Sequence, residues 1–423
     1  MTSRQRVVAA LNHQEPDRVP VDLGSTGVSG ITVFPYAALR RVLAVSGELP
    51  RVWDLVQFNA EVELPVLEKL GCDVVGVAPV TRTFGIAYRD YKPWTAGDGT
   101  EMAVPGQFNP QVSPDGDLLL SPRGDASVPP SGRMPKGGYY FDLLPRQQPL
   151  DWDHLDPKEF AEQFRRLPDQ ELEHIQRTTD YLYRDTDYAI VGAFGERGLG
   201  NMPLVMAPEL DAPKGIRSFD DWLVAHLTHP EYIKEINHLH TERILENLEL
   251  FHQAVGDKIV AVYLTATDFG TQRGEFTSPD LYRELYFPFH QRLCTWVHEH
   301  TTWKTFCHSC GSIYRLIPMM IEAGIDILNP VQTSAANMEP ARLKREFGDK
   351  LVFWGGGADT QKTLPFGTPE EVRAEVRERI RIFAPGGGYI FNPVHNVQAK
   401  TPVQNLLAMF DAVREAGRYP IVV

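Results

Sequence analysis

His308 and Cys310 stand two residues apart in WKTFCHSCG, at the end of a short apolar run. A neutral imidazole and a thiolate are good zinc ligands, and residues two apart on an extended segment project to one side. His395, in YIFNPVHN, supplies a third ligand if its loop converges on the same point, which leaves the fourth position of a catalytic zinc site open. The pair also has a purely structural reading, with Cys310 as a small buried hydrophobe and His308 as a hydrogen-bonded core histidine. Cys307 is expected to face the opposite way, into the core.

Other polar residues follow apolar runs in the same manner: Asp268 after IVAVYLTA, Asn329 and Gln332 after IDIL, and Asp359 after LVFWGGG. Asp268 is the candidate catalytic acid or base, or a holder of a substrate hydroxyl; the competing reading is a cap for the loop leading to Ser278. Asn329, Gln332 and Asp359 are candidate substrate-binding residues. Asp359 comes after Gly355, Gly356 and Gly357, which allow close approach of a ligand to the backbone or simply make a turn. Trp354, with Trp53 and Tyr263, is a candidate aromatic wall for a substrate, although single aromatics are usually core. The His298 to His300 triplet reads as helix surface.

Placing these residues together requires a fold that gathers strand ends. The apolar runs Tyr188–Phe194, Ile259–Ala266, Trp303–Cys307, Ile325–Asn329, Leu351–Trp354 and Tyr389–Asn392 lack polar alternation and are separated by amphipathic helical segments. Such a pattern indicates a parallel sheet covered by helices, with ligands at the carboxyl ends of the strands. Val19–Leu23 and CDVVGVAP add two strands, and eight close a (β/α)8 barrel of the TIM type. No GxGxxG follows the first strand, which disfavours a doubly wound dinucleotide fold. A single barrel domain over residues 1–423 is expected, interrupted at 83–149 by a β-rich insertion. That stretch is rich in Gly, Pro and Asp, has hairpin signals at Pro114-Asp115-Gly116 and Arg123-Gly124-Asp125, and carries Phe108, Tyr139, Tyr140 and Phe141 to pack. Helix signals are clearest at Thr2/Gln5 and Thr368/Glu371, both with capping-box spacing, at Glu61 to Leu70, and along the face Ile313, Leu316, Ile317, Met320 and Ile321.

The 423 residues carry a formal charge of −13, which disfavours nucleic acid or anionic membrane as a partner. Four cysteines are too few for a disulfide framework, and no apolar run reaches the roughly 18 residues of a membrane span. A cytoplasmic protein is expected; the oligomeric state is open.

The stretches RVVAALNHQEPDRVPVD, CHSCGSIYRLIPMMIEAGIDILNPVQ, LKREFGDKLVFWGGGADTQ and APGGGYIFNPVHNVQAKTPVQN resemble the uroporphyrinogen decarboxylase superfamily, in order and over most of the chain. The superfamily includes true decarboxylases and zinc-dependent methyltransferases that work with corrinoid proteins. The arginine-bearing N-terminal loop by which the decarboxylases resemble one another, of the type MRQAGRY, has no counterpart near this N-terminus. The methyltransferase branch resembles this chain in its His-x-Cys pair, matched by His308 and Cys310. Its third ligand, often a cysteine, lies shortly before a Thr-Pro, and His395 stands just before Thr401-Pro402.

The resemblance therefore implies a zinc-dependent methyltransferase with zinc on His308, Cys310 and His395 and a corrinoid (cobalamin) as methyl carrier. A corrinoid protein is a possible partner, and a small methyl donor, a methoxylated aromatic for example, is the expected substrate. A metal-free decarboxylase or lyase built on Asp268 is the second reading. The third is a non-catalytic cobalamin- or tetrapyrrole-binding protein, which lacks support from any DxHxxG carrier motif.

Overall fold

Seven of the apolar runs form one parallel sheet in the computed structural model, which describes residues 1–193 and 198–422. The strands are β1 (Val74–Val77), β2 (Ala189–Ala193), β3 (Ala261–Thr265), β4 (Lys304–His308), β5 (Ile327–Asn329), β6 (Val352–Trp354) and β7 (Tyr389–Ile390). They lie side by side in chain order, every neighbouring pair parallel. Phe194, the expected end of the second of these, lies outside the described residues.

Side-chain parity curls the sheet around an apolar interior. Ala261 and Tyr263 of β3 pack inward with Val74, Val191, Phe306, Ile327, Val352, Trp354 and Ile390, while Val262, Leu264 and Cys307 face the helical layer. The N-terminal helix α1 (Ser3–Leu11) starts at the expected Thr2/Gln5 capping box and adds Val7, Ala10 and Leu11 to the inward cluster. Helix α1 thus plugs the N-terminal end of the curl.

The sequence pattern suggested eight strands, and the laddered sheet has seven. Between its edge strands runs the segment Pro20–Asp22. It makes one parallel bridge, Val21 with Phe391, and one backbone-to-backbone hydrogen bond toward β1, Asp73 N to Val21 O at 2.7 Å. Pro20 has no amide hydrogen to donate, and Gly24, with φ +92°, turns the chain away within two residues. Val19–Leu23 is therefore a bridging segment, not the eighth strand of a closed (β/α)8 barrel.

Local signals elsewhere behave as their chemistry dictates. Thr368 and Glu371 form a capping box that opens the helix Pro369–Phe383, whose buried face is Val372, Val376, Ile380 and Phe383. The helix expected from Glu61 begins at Leu64, with Pro65 in its first turn, and Ile313 and Leu316 are buried ahead of a shorter helix, Ile317–Glu322. Residues 83–149 contain an antiparallel pair, Lys92–Thr95 with Glu101–Val104, and a four-stranded antiparallel sheet from Gln111 to Leu143. Phe108 and Phe141 pack with Phe58 and Phe84 at ring separations of 6.0–6.3 Å, whereas Tyr140 is exposed. No helix among the described residues is long and apolar enough to cross a membrane.

One ion-pair cluster joins the pieces at the N-terminal end of the sheet. Asp73, just before β1, has no exposed side-chain surface. It accepts hydrogen bonds from Arg6 Nη1 at 2.7 Å, Arg18 Nη1 and Nη2 at 2.7 and 2.9 Å, Ser3 Oγ at 2.7 Å and Val21 N at 2.9 Å. Removing one partner of such a buried cluster strands the others. Asp73→Ala should therefore lower the unfolding free energy by about 3–5 kcal/mol, read from the midpoint of urea unfolding. An unchanged midpoint would mean that the two guanidiniums find other partners.

Candidate metal centre

His308 is the last residue of β4 and shares inward parity with Phe306. The parallel register sets it beside Asn329, the last residue of β5. Its Nδ1 lies 2.6 Å from Asn329 Oδ1, and Asn329 Nδ2 donates in turn to the carbonyl of Trp354 at 2.8 Å, at the tip of β6. A carboxamide oxygen accepts and does not donate. The bond therefore places the proton on Nδ1 and leaves Nε2 with its lone pair free.

Cys310 follows one residue beyond Ser309 and brings Sγ to 3.3 Å from His308 Nε2. The turn that allows this is held from the neighbouring loop, where Asp268 Oδ1 accepts from Cys310 N at 2.8 Å and lies 3.7 Å from His308 Nε2. Gly311, with φ +89°, lets the two loops touch: a Cβ there would stand 2.3 Å from the carbonyl carbon of Gly270. His395 comes from the loop after β7. Its ring centroid is 5.3 Å from that of His308, and its Nδ1 bonds Asn396 Oδ1. Asn396 Nδ2 is fixed by Gln57 Oε1 and Asn59 Oδ1, both at 2.8 Å. The ligand-capable atoms of His308, Cys310 and His395 all lie within 4.8 Å of one another.

The electrostatics suit a cation. Burial, with His395 nearby, pushes His308 down to about 4 against the opposing pull of Asp268 and Asn329. His395 is lowered by burial as well. Both rings are thus neutral near pH 7, the form a metal needs. The Cys310 thiol is raised by burial and by the charge of Asp268, so a cation must join it before it ionises readily. Cys307 faces outward from the curl as expected, pushed up to about 12 by burial.

The remaining candidates divide. Gln332 accepts from Gly311 N at 2.7 Å and lines a cleft of about 330 Å³ that opens beside Cys310 and His395. Asn329 is fully buried and serves His308, so it lies behind the imidazole and not in the cleft. Asp359 is turned into its own loop, accepting from the amides of Gln361 and Lys362. Trp354 and Tyr263 are sealed in the interior, with the Trp354 indole N–H on Asp22 Oδ2 at 2.9 Å, and Trp53 stacks on Arg82 at 3.8 Å. The expected aromatic wall is therefore absent from the described lining of the cleft. His298 pairs with Asp326 and His300 stacks on Trp296, both on the helix surface. Ser278 caps its own helix, and the Asp268 carboxylate holds the amide of Cys310.

Sequence reasoning missed Asn396, Gln272, Gln361, Gln398 and Asp22. Asn396 had a signal, since a carboxamide directly follows the candidate ligand. A larger cavity, about 420 Å³, lies between the loop after β1 and the helix Pro230–Val255 and is lined by none of the three converging residues. The metal-capable side chains Cys310 and His395 line the smaller cleft.

Comparison with known proteins agrees with this architecture. The chain is 29% identical over 153 residues to uroporphyrinogen decarboxylase from Thioalkalivibrio sulfidiphilus, a match covering 35% of this chain and 41% of that one. It is 29% identical over 163 residues to the enzyme of that name from Anaeromyxobacter dehalogenans, covering 38% and 44%. The chain thus spans less than half the length of these curated relatives. Among solved structures, a methyltransferase from Methanosarcina mazei superposes with a TM-score of 0.58 over 98% of this chain and 99% of that one, at 16% identity, a likeness of fold. The description of the uroporphyrinogen decarboxylase (URO-D) family matches residues 202–416, which include β3 to β7 and all three converging residues, and the chain belongs to that family.

Proposed function

We propose that the chain is a zinc-dependent methyltransferase that moves a methyl group between a small donor and a corrinoid. The observation that carries this reading is the convergence of His308, Cys310 and His395 at the C-terminal edge of the sheet. The donor set fits the ion. Tetrahedral zinc, with Zn–N near 2.0–2.1 Å and Zn–S near 2.3 Å, sets neighbouring donors about 3.3–3.6 Å apart. His308 Nε2 and Cys310 Sγ stand at 3.3 Å and all three donors within 4.8 Å, so the set would draw in by about an ångström on the ion. Zinc bound there would supply Lewis acidity to a donor oxygen or to a thiol. The fold likeness to a protein named as a methyltransferase points the same way.

In the transfer, the CH3–O bond of the donor breaks and both its electrons stay on oxygen, which takes up a proton. A reduced corrinoid, when bound, would supply the electron pair that takes up the methyl group. This chain contributes position and protons. Asn329 and Asn396 hold the two imidazoles in one tautomer, and Asp268, half exposed between Cys310 N and the cleft, orients the donor or passes the proton. We take the whole chain as one domain with residues 83–149 as a cover at the mouth of the sheet; the contact that supports it is Lys400, from the loop that carries His395, over the Tyr139 ring at 5.2 Å. That cover is also the candidate contact for a corrinoid protein. Methoxylated aromatics remain donors to assay, with no Phe, Tyr or Trp among the described lining residues of the cleft.

The curated relatives favour a second reading, a metal-free decarboxylase that uses Asp268 to stabilise a protonated intermediate. Metal analysis separates the two. Protein purified without added metal should carry about one zinc per chain, and Cys310→Ala should lose it. With cob(I)alamin and a panel of methyl donors, Asp268→Asn should keep the zinc while methyl transfer falls about 10²–10⁴-fold. Zinc-free protein that turns over a carboxylate would overturn the proposal.

The carboxamides give a sharper test. Asn329→Ala should weaken zinc binding roughly 10–100-fold in competition with a chromophoric chelator. Asn329→Asp keeps an acceptor oxygen on His308 Nδ1 but turns its second oxygen on the Trp354 carbonyl, so it should recover only part of the affinity lost in Asn329→Ala. Equal affinity for all three proteins would show that the carboxamide does not orient the ring.

A further inference from the structure

We infer that the cleft beside the three converging residues takes an uncharged, hydrogen-bonding molecule and turns away carboxylates and phosphates. This rests on the zinc reading above and adds the substrate class to it.

The inference comes from what lines the cleft. Four carboxamides face it, Gln272, Gln332, Gln361 and Gln398, with threonine hydroxyls, backbone and Val394, and no Arg or Lys is among the described lining residues. Arg273 and Lys362 adjoin two of these glutamines in sequence, but both are exposed and neither lines the cleft. The ionised group closest to the ligand atoms is the Asp268 carboxylate, 3.7 Å from His308 Nε2. With zinc in place, its two positive charges are met by the Cys310 thiolate and by Asp268. The site is then neutral overall, within a chain that carries −13.

An anionic group that enters this cleft beside the metal gives up hydration and finds no side-chain cation among the described lining residues to replace it. A neutral hydroxyl, ether or amide only exchanges water for carboxamide partners, which is close to balanced.

The carboxamides are also set for both directions of hydrogen bonding. Gln332 Oε1 is taken by Gly311 N, so its NH2 is the end left to a ligand. Gln398 uses its NH2 on the Asn396 carbonyl and Oδ1, at 3.3 and 2.7 Å, and keeps an acceptor oxygen. Gln272 Nε2 donates to Gln361 Oε1 at 2.8 Å across the mouth, leaving an acceptor on one and donors on the other. A molecule that both donates and accepts, such as a methoxy alcohol, a methoxyphenol or a neutral amide, matches this set. A polycarboxylate does not.

The test isolates charge by holding the metal-binding head constant. Zinc-loaded full-length protein is titrated calorimetrically with succinic monohydroxamate, whose tail is a carboxylate, and with its terminal amide. The amide should bind at least about tenfold more tightly. In Gln361→Lys, which sets an ammonium at the mouth, the carboxylate should gain about three- to fivefold while the amide holds. Equal or tighter binding of the carboxylate by the parent protein would overturn the inference. So would the absence of binding by either compound while metal analysis shows zinc still present. Loss of the zinc itself would instead overturn the metal reading, and the parallel metal measurement distinguishes that failure from the others.

Discussion

The hydrogen bond from His308 Nδ1 to Asn329 Oδ1 is the constraint on which the site depends. An imidazole without it rotates and changes tautomer, and Nε2 no longer faces Cys310. The bond exists because β4 and β5 are parallel and in a register that pairs these two residues at their tips. It continues sideways: Asn329 is held by the Trp354 carbonyl of β6, and the Trp354 indole reaches Asp22 in the bridging segment. Asp22 is wholly buried with its pKa raised by burial, and the amide and hydroxyl of Ser25 offset part of that cost. A polar chain thus crosses the curled sheet beneath the candidate metal centre and fixes its rim.

The two ends of the sheet do different work. At the N-terminal end, Asp73 and two arginines tie α1, the bridging segment and β1 together, and the groups there are satisfied by one another. At the C-terminal end, glycines at 270 and 311 let loops approach until Asp268 holds the backbone of Cys310. The carboxamides there keep hydrogen-bonding capacity directed into a cleft. Stability at one end and unsatisfied polarity at the other is the division expected of a βα fold that binds its ligand at strand tips.

The aromatic cluster around Phe58, Phe108 and Phe141 packs residues 83–149 against the segment that carries Phe58, within the same core as the outer face of the sheet. Its link to the site runs through two contacts. Gln57, next to Phe58, bonds Asn396 behind His395, and Tyr139 meets Lys400 further along the same loop. The loop after β7 is therefore positioned by the β-rich stretch as well as by the sheet.

By itself the sequence determined what short-range chemistry can determine. The Thr2 and Thr368 capping boxes set two helix starts, apolar runs without alternation marked parallel strands, and His308-x-Cys310 at a strand end put two donors on one side of the chain. Those signals lie within a few residues of one another, so no knowledge of packing is needed to read them. Whether His395 would meet the pair was a question of how loops curl around the sheet, and only the tertiary structure settled that the three approach. The same is true of Trp354, whose partner Asp22 is 332 residues away. A wholly apolar strand does not reveal which of its faces is inward, so Trp354 read as a wall of the cleft and lies in the sealed interior. The eighth strand failed for a related reason: Val19–Leu23 has the apolar content of a strand, but a ladder needs amide hydrogens and partners in register, and Pro20 and Gly24 deny it both.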